Sequence, residues 1–281
     1  MITLKILPAD YQILAIAASP PDQPIHPAEI ADLVLPPELD WHREVILFGQ
    51  VPIWVYGALS ATFTLRSTRR PQVPWIGYFA ALEKEAVVVW SQVSDKTPGD
   101  VIPINLYRSP CPAILIGGPP DSGKSVLSNA LRRSLQQHCP QLQVFLHRAN
   151  WDGEGNWSQE AHNRDLVKRL IREHECRVHE HPQAAELLPA YYAYHASAIA
   201  NLRETVDLVL VDVGGKTQPE KIPLVAQCTH YIVISRSPEL IESWHQLCAP
   251  MLKLLAVIHS AIEPCVSIQQ EQPFLEMIAG C

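Results

Sequence analysis

A chain of 281 residues has room for one large domain or two ordinary ones, and two is the expectation, because compact domains settle at roughly 100–150 residues. With 47% hydrophobic and 18% charged residues, the chain carries too much apolar material to stay disordered, and a formal charge of −7 excludes a whole-surface electrostatic grip on duplex nucleic acid. The start, Met-Ile-Thr-Leu-Lys, lacks the apolar core of a signal peptide, and the most apolar late stretch, Met251–Ile262, contains Lys253 and His259, so no membrane association and a cytoplasmic location are expected.

The first third is punctuated by proline: Pro20-Pro21, Pro24, Pro27, Pro36-Pro37, Pro71 and Pro74. Proline fixes φ and removes an amide donor, so the segments between must be short. Ile2–Ile6, Tyr11–Ala17, Glu44–Gly49, Trp75–Phe79 and Ala86–Gln92 are rich in β-branched and aromatic residues and read as strands. Ile53–Thr64 reads as a helix after the Gly49–Pro52 turn, since a proline is tolerated where the first amides have no intrahelical partner. Together these make a small mixed α/β unit, with the boundary to the rest near Leu106–Cys111.

Four stretches of this unit carry a resemblance: Phe-Gly-Gln-Val-Pro-Ile-Trp at Phe48–Trp54, then Trp75–Leu82, the valine-rich Ala86–Val89, and Pro-Gly-Asp-Val-Ile at Pro98–Ile102. In order and spacing, residues 1–108 resemble the CRISPR ring nuclease 3 family of type III systems, whose members cleave cyclic tetra-adenylate, some of them fused to a P-loop domain. The resemblance implies a ring-nuclease-like fold, binding of cyclic tetra-adenylate or a related oligonucleotide, Mn²⁺ as a candidate metal, and homodimers that stack further. It also marks departures. The family has Asp-Pro-Arg after the tyrosine that matches Tyr78, a histidine where Gln92 falls, and a further histidine before the Pro-aromatic strand. Here Phe79-Ala80-Ala81 replace the first, and Thr64–Val73 contains no histidine. A phenylalanine cannot ligate a metal and an alanine cannot neutralise a phosphate, so the unit is expected to bind without cutting. Arg66, Arg69 and Arg70 either contact ligand phosphates or form a solvated loop, and Trp54 is read as core in preference to a platform for adenine.

From Pro112 the pattern alternates: strand Ala113–Gly117, helix Lys124–Gln137, strand Gln143–His147, a polar helical stretch Ala161–Arg203, strands Leu208–Asp212 and Tyr231–Ser235, helix Pro238–Ile258, and a final strand Cys265–Ile268. Such alternation requires crossover connections and predicts a mostly parallel sheet flanked by helices. The whole is therefore α/β: over residues 1–108 a domain that is ring-nuclease-like by its resemblance and, because Gly118–Ser125 has the spacing of a phosphate loop, a P-loop NTPase domain, kinase-like or AAA-type, over 109–281.

Gly118-Pro119-Pro120-Asp121-Ser122-Gly123-Lys124-Ser125 fits G-x-x-x-x-G-K-[ST] between a predicted strand and a predicted helix. Glycines let the backbone wrap a pyrophosphate, amides and the helix N-terminus point positive dipoles at it, Lys124 neutralises phosphate charge and Ser125 ligates Mg²⁺. The candidate nucleotide-binding residues are Gly118, Pro119, Asp121, Ser122, Gly123, Lys124, Ser125, Val126 and Arg236, the ligand being ATP with Mg²⁺. Arg236 reads more simply as a surface arginine than as a phosphate or base contact. Asp212, closing a buried-strand pattern, joins Ser125 as a metal residue. The Gly214-Gly215 turn either senses a γ-phosphate or is a plain tight turn.

Arg148–Trp157 begins at the carboxyl end of the second strand, where doubly wound sheets bind ligands, so Asp152 is the candidate general base and joins Lys124 as catalytic; a polar turn is the other reading of Asp152. Tyr191, Tyr192, Tyr194 and His195 line an acceptor pocket or fill core. His174, Cys176, His179 and His181 are close enough for a metal but read more simply as a polar helix face. Seven scattered cysteines without a Cys-x-x-Cys pair suit a reducing compartment. Three further readings stay open: a messenger sensor gated by ATP, a kinase of nucleosides or RNA 5′ ends, and ring cleavage that survives through residues outside the matched motifs or from a neighbouring subunit.

Overall fold

The computed structural model describes residues 2–18, 25–49, 51–65, 72–149 and 182–280. The chain divides into two compact units, Met1–Pro110 with Leu135–Gln143, and Cys111–Ser134 with Val144–Cys281.

The first unit is built on a six-stranded sheet, β1 Ile2–Leu7, β2 Ile13–Ala18, β3 Val45–Phe48, β4 Trp75–Ala80, β5 Glu85–Ser91 and β6 Val101–Pro103, in that spatial order. The strand pairs β2–β3 and β3–β4 are parallel and the other three antiparallel. Helix α1, Ile53–Thr64, starts after Pro52 as expected. Its buried residues Val55, Leu59 and Phe63 recur every four positions, and that stripe packs with Leu14, Ile16, Val45, Leu47 and Ile76 of the sheet. Gln12 ties the segment before β3 into this core. Its side chain donates to the carbonyls of Asp40 (3.0 Å) and Glu44 (3.1 Å) and accepts from the Asp40 amide (2.8 Å), so a buried amide has its partners.

The second unit has a seven-stranded sheet in the order β12-β13-β11-β10-β7-β9-β8. Its strands are β7 Ala113–Gly117, β8 Val144–Ala149, β9 Leu208–Val213, β10 His230–Ser235, β11 Lys253–Ala261, β12 Cys265–Gln270 and β13 Leu275–Gly280. Only β12 is antiparallel to its neighbour. The helices are α2 Lys124–His138, α3 Ala184–Thr205 and α4 Pro238–Cys248. On one sheet face Leu127 and Leu131 of α2 pack on Ile232, Ile234, Ala256 and Ile258. The mostly parallel sheet with flanking helices is as the alternation predicted.

Two expectations at the C-terminal end are corrected. The helix starting at Pro238, capped by Ser237, ends at Cys248 rather than Ile258. Pro250 stops it, and the apolar run beyond becomes β11, for a short continuous apolar run does not by itself distinguish a buried strand from a helix. The expected last strand is one arm of a hairpin, and it is β13, not β12, that pairs with β11. Among the described residues no helix is long and apolar enough to cross a membrane.

Candidate functional site

The phosphate-loop sequence joins β7 to α2 at the centre of the parallel sheet. Gly118 has φ +156°, and a Cβ there would lie 2.1 Å from the Ile234 carbonyl oxygen and 2.9 Å from Ser122 Oγ. Gly123 has φ +93°, a value closed to ordinary side chains. Asp121 also takes a positive φ, +56°, which aspartate tolerates better than most residues. Pro119 and Pro120 bring no amide, so donors for an anion come from Asp121 onward, running into the helix start, whose first amides lack intrahelical partners.

Lys124 is buried, 9% exposed, and its Nζ donates to the Pro119 carbonyl at 2.6 Å, which folds the lysine back over the loop. Ser125 Oγ donates to Asp212 Oδ2 at 2.9 Å. The register explains this meeting: Asp212 on β9 stands beside Ile116 on β7, two residues before the loop begins. Asp212 is 2% exposed, and burial raises its carboxyl pKa against the opposing pull of Arg148, the Ser125 hydroxyl and Lys124. Two hard oxygen donors in contact, beside a lysine and a run of amides, form the donor set that suits Mg²⁺ and a polyphosphate.

The remaining sequence candidates divide. Val126 is 51% exposed on the first turn of α2, and Arg236 is exposed just after β10. Asp152, the basic run Arg66, Arg69 and Arg70, and the cluster from His174 to His181 lie outside the described residues. Tyr192 has no exposed surface and belongs to the core of the unit, whereas Tyr194 is 47% exposed.

Arg148 and Lys221 escaped the sequence reading, and the Gly214-Gly215 turn, read as either a phosphate sensor or a plain turn, makes a contact that the sequence did not show. Arg148, the penultimate residue of β8, is in register with Asp212. Its Nε lies 3.6 Å from Asp212 Oδ2, and its Nη2 donates to Ser125 Oγ at 3.3 Å, with the side chain only 4% exposed. Gly215 touches the loop: a Cβ there would be 2.5 Å from both the ring nitrogen and Cδ of Pro120. The fully buried Lys221 donates to the carbonyls of Gly214 and Lys216 and lies over the rings of Trp244 (5.3 Å) and Tyr192 (6.0 Å). The Gly-Gly turn is therefore a held element resting on the phosphate loop. No local pattern marked Arg148, since its place beside Asp212 depends on the pairing of β8 with β9.

His147 and His195 form a buried pair, Nε2 to Nδ1 at 2.8 Å. Burial pushes both pKa values down, to about 3 for His147, where His195 adds to the effect, and to about 4 for His195. Unfolded, both rings protonate near pH 6.5, so the pair's contribution to stability is complete above that value and is lost as pH falls toward 4 and below. At pH 5 the loss is about 2 kcal/mol from His147 and up to as much again from the less deeply buried His195, together a fall of about 4–16 °C in melting temperature. A His147→Gln, His195→Gln double variant should lose that part of the slope between pH 7.5 and 5; equal slopes in melting curves would refute the assignment.

In the first unit, Phe79, Ala81 and Gln92, the positions set against the family motifs in the sequence, are apolar or make structural bonds. Phe79 and Ala81 are buried, and Phe79 packs edge-on against Phe48 with centroids 5.3 Å apart. Gln92 donates to the carbonyls of Gln72 (3.2 Å) and Val73 (2.9 Å), fastening the chain ahead of β4. Tyr78 shares a hydrogen bond with Ser60 at 3.0 Å. Trp54, expected in the core, is 36% exposed at the start of α1.

Residues 18–103 match the CRISPR-associated protein family Cas_csx3, in agreement with the resemblance carried by the N-terminal motifs. Among solved structures, the chain is similar to the septum site-determining protein MinD complexed with Mg-ADP from Pyrococcus horikoshii (12% identity, 53% of this chain and 70% of that one, TM-score 0.39). It is similar also to a ParA family ATPase from Chlorobium tepidum (12%, 56% and 76%, TM-score 0.36). A third is thymidylate kinase from Ehrlichia chaffeensis (15%, 52% and 89%, TM-score 0.32). None of the curated proteins matches the chain.

Proposed function

We propose that this chain is a CRISPR-associated regulator in which the first unit binds a cyclic oligoadenylate and the second binds ATP with Mg²⁺ and uses it for phosphoryl transfer or hydrolysis. The observation that carries the reading is the Ser125–Asp212 pair, 2.9 Å apart beside Lys124 at the mouth of α2. Bound Mg²⁺ would neutralise phosphate charge between these oxygens and the ligand. The loop amides orient the triphosphate, Lys124 exchanges the Pro119 carbonyl for phosphate oxygens, and Asp212 holds the Ser125 hydroxyl in place. Asp152 is the proposed base that orients the acceptor hydroxyl or water.

For the first unit, buried Phe79 and Ala81 and the structural bonds of Gln92 favour recognition of cyclic tetra-adenylate without scission. A symmetric ring ligand fits a symmetric host, so a homodimer or higher assembly belongs to this reading. Calorimetry of the full chain with ATP and Mg²⁺, and separately with cyclic tetra-adenylate, tests both halves. Each ligand is expected to bind, and the ring should stay intact with Mn²⁺ present at stoichiometric protein. Absence of nucleotide binding removes the second half of the proposal, and linear products remove the claim that cutting is lost.

A further inference from the structure

We propose that Arg148, which pairs with Asp212 and Ser125 in the structure, is an arginine finger supplied in cis that turns to the terminal phosphate when Mg²⁺ and a triphosphate bind. The inference rests on the nucleotide-binding reading above and gives that site a group that distinguishes three phosphates from two.

The placement follows from register. Arg148 on β8, Asp212 on β9 and Ile116 on β7 stand in one row near the carboxyl ends of three adjacent parallel strands. Neighbours in such a row project to the same face of a sheet, which brings the guanidinium to the carboxylate. A guanidinium that is 4% exposed is costly to bury without an anion, and here Asp212, itself 3% exposed in its side chain, serves as one.

Arg148 and a metal ion would compete for the same atoms. Ser125 Oγ gives its proton to Asp212 and accepts Nη2 of Arg148 with a lone pair. A cation at Ser125 needs that lone pair and the charge of Asp212. Held by the same two side chains, the ion would repel the guanidinium at close range in a poorly solvated site. Arg148 must therefore move, and the new anion within reach of a long side chain is the triphosphate whose metal displaced it. Ser125 and Asp212 would hold the ion that neutralises the terminal phosphates, and Arg148 stands beside them, so the terminal phosphate is its proposed target. A planar, permanently charged fork meets two oxygens of a phosphate at once, which a lysine cannot do.

The test measures binding in the full chain. Mg-ADP and a Mg-bound non-hydrolysable ATP analogue are titrated by calorimetry into wild type, Arg148→Gln and Arg148→Lys, and the Mg²⁺ concentration giving half-maximal nucleotide binding is recorded. Wild type should favour the triphosphate analogue. Arg148→Gln should shrink that preference about 10–100-fold, the value of one or two charge-assisted bonds, while Mg-ADP binds as well or better and less Mg²⁺ is needed. Arg148→Lys should fall between the two. An unchanged triphosphate-to-diphosphate ratio in Arg148→Gln, or a wild type with no preference, overturns the proposal. If Arg148→Gln does not fold, the ratio in Arg148→Lys decides on the same terms. If wild type binds neither nucleotide, the underlying reading itself falls, an outcome recognised without any variant.

Discussion

Exchanging Lys221 for methionine should lower the stability of the second unit by about 3 kcal/mol and its melting temperature by about 6–12 °C. A buried charge is often a poor contributor to stability, since desolvation offsets its attractions and an apolar residue can replace it at no cost. Lys221 differs in what it binds. Its partners are main-chain carbonyls of Gly214 and Lys216, which remain when the ammonium goes, and the faces of Trp244 and Tyr192. Methionine fills the volume and keeps the ring contacts, but it leaves two carbonyls of a tight turn without their donor. The same turn carries Gly215 against Pro120, so nucleotide affinity should fall together with stability although Lys221 is buried beneath the turn. A thermal shift below about 2 °C would mean that the desolvation penalty cancels the bonds, and the turn would then be held by the glycine contact alone.

Much of the architecture was legible because the relevant forces are local. Pro52 after the Gly49 turn marks the start of α1 in the sequence itself, and the glycines of the phosphate loop announce backbone values and close approaches that other residues cannot reach. The failure at Pro238–Ile258 arose where the local signal is degenerate: Leu254–Ile258 is apolar on every side, as a strand buried in a parallel sheet must be, and only the neighbouring strands β10 and β13 decide its conformation. Trp54 was misplaced for a related reason. Helix α1 is apolar nearly all round, so hydrophobicity could not say which side faces the sheet. At the site, the loop and Asp212 were readable because one strand and its turn contain each of them. Arg148 was not, since its role depends on the pairing of β8 with β9 across a separation of 64 positions, a long-range fact that no local pattern encodes.

Replacing Lys124 with alanine should weaken Mg-ATP and Mg-ADP alike by about 10²–10³-fold while leaving the melting temperature of the ligand-free protein nearly unchanged. In the structure the ammonium is satisfied by the Pro119 carbonyl, a partner within its own loop that lies near the protein surface and that water can replace. A bound nucleotide would give the same ammonium two phosphate oxygens, and each charge-assisted bond contributes about 1.5–3 kcal/mol, or one to two decades of affinity. Lys124→Arg preserves the charge but not the fit of a compact donor inside a loop closed by Gly118 and Gly123, so it should recover only part of the loss. The pattern across ligands separates the two cations of the site. On the proposed roles, Lys124 would act wherever a β-phosphate is present and Arg148 only on the third phosphate, so ADP binding should weaken when the first is removed and hold or improve when the second is. If Lys124→Ala bound both nucleotides as wild type does, the ligand would have to sit elsewhere, and neither the Ser125–Asp212 pair nor the arginine beside it would retain a role in holding phosphate.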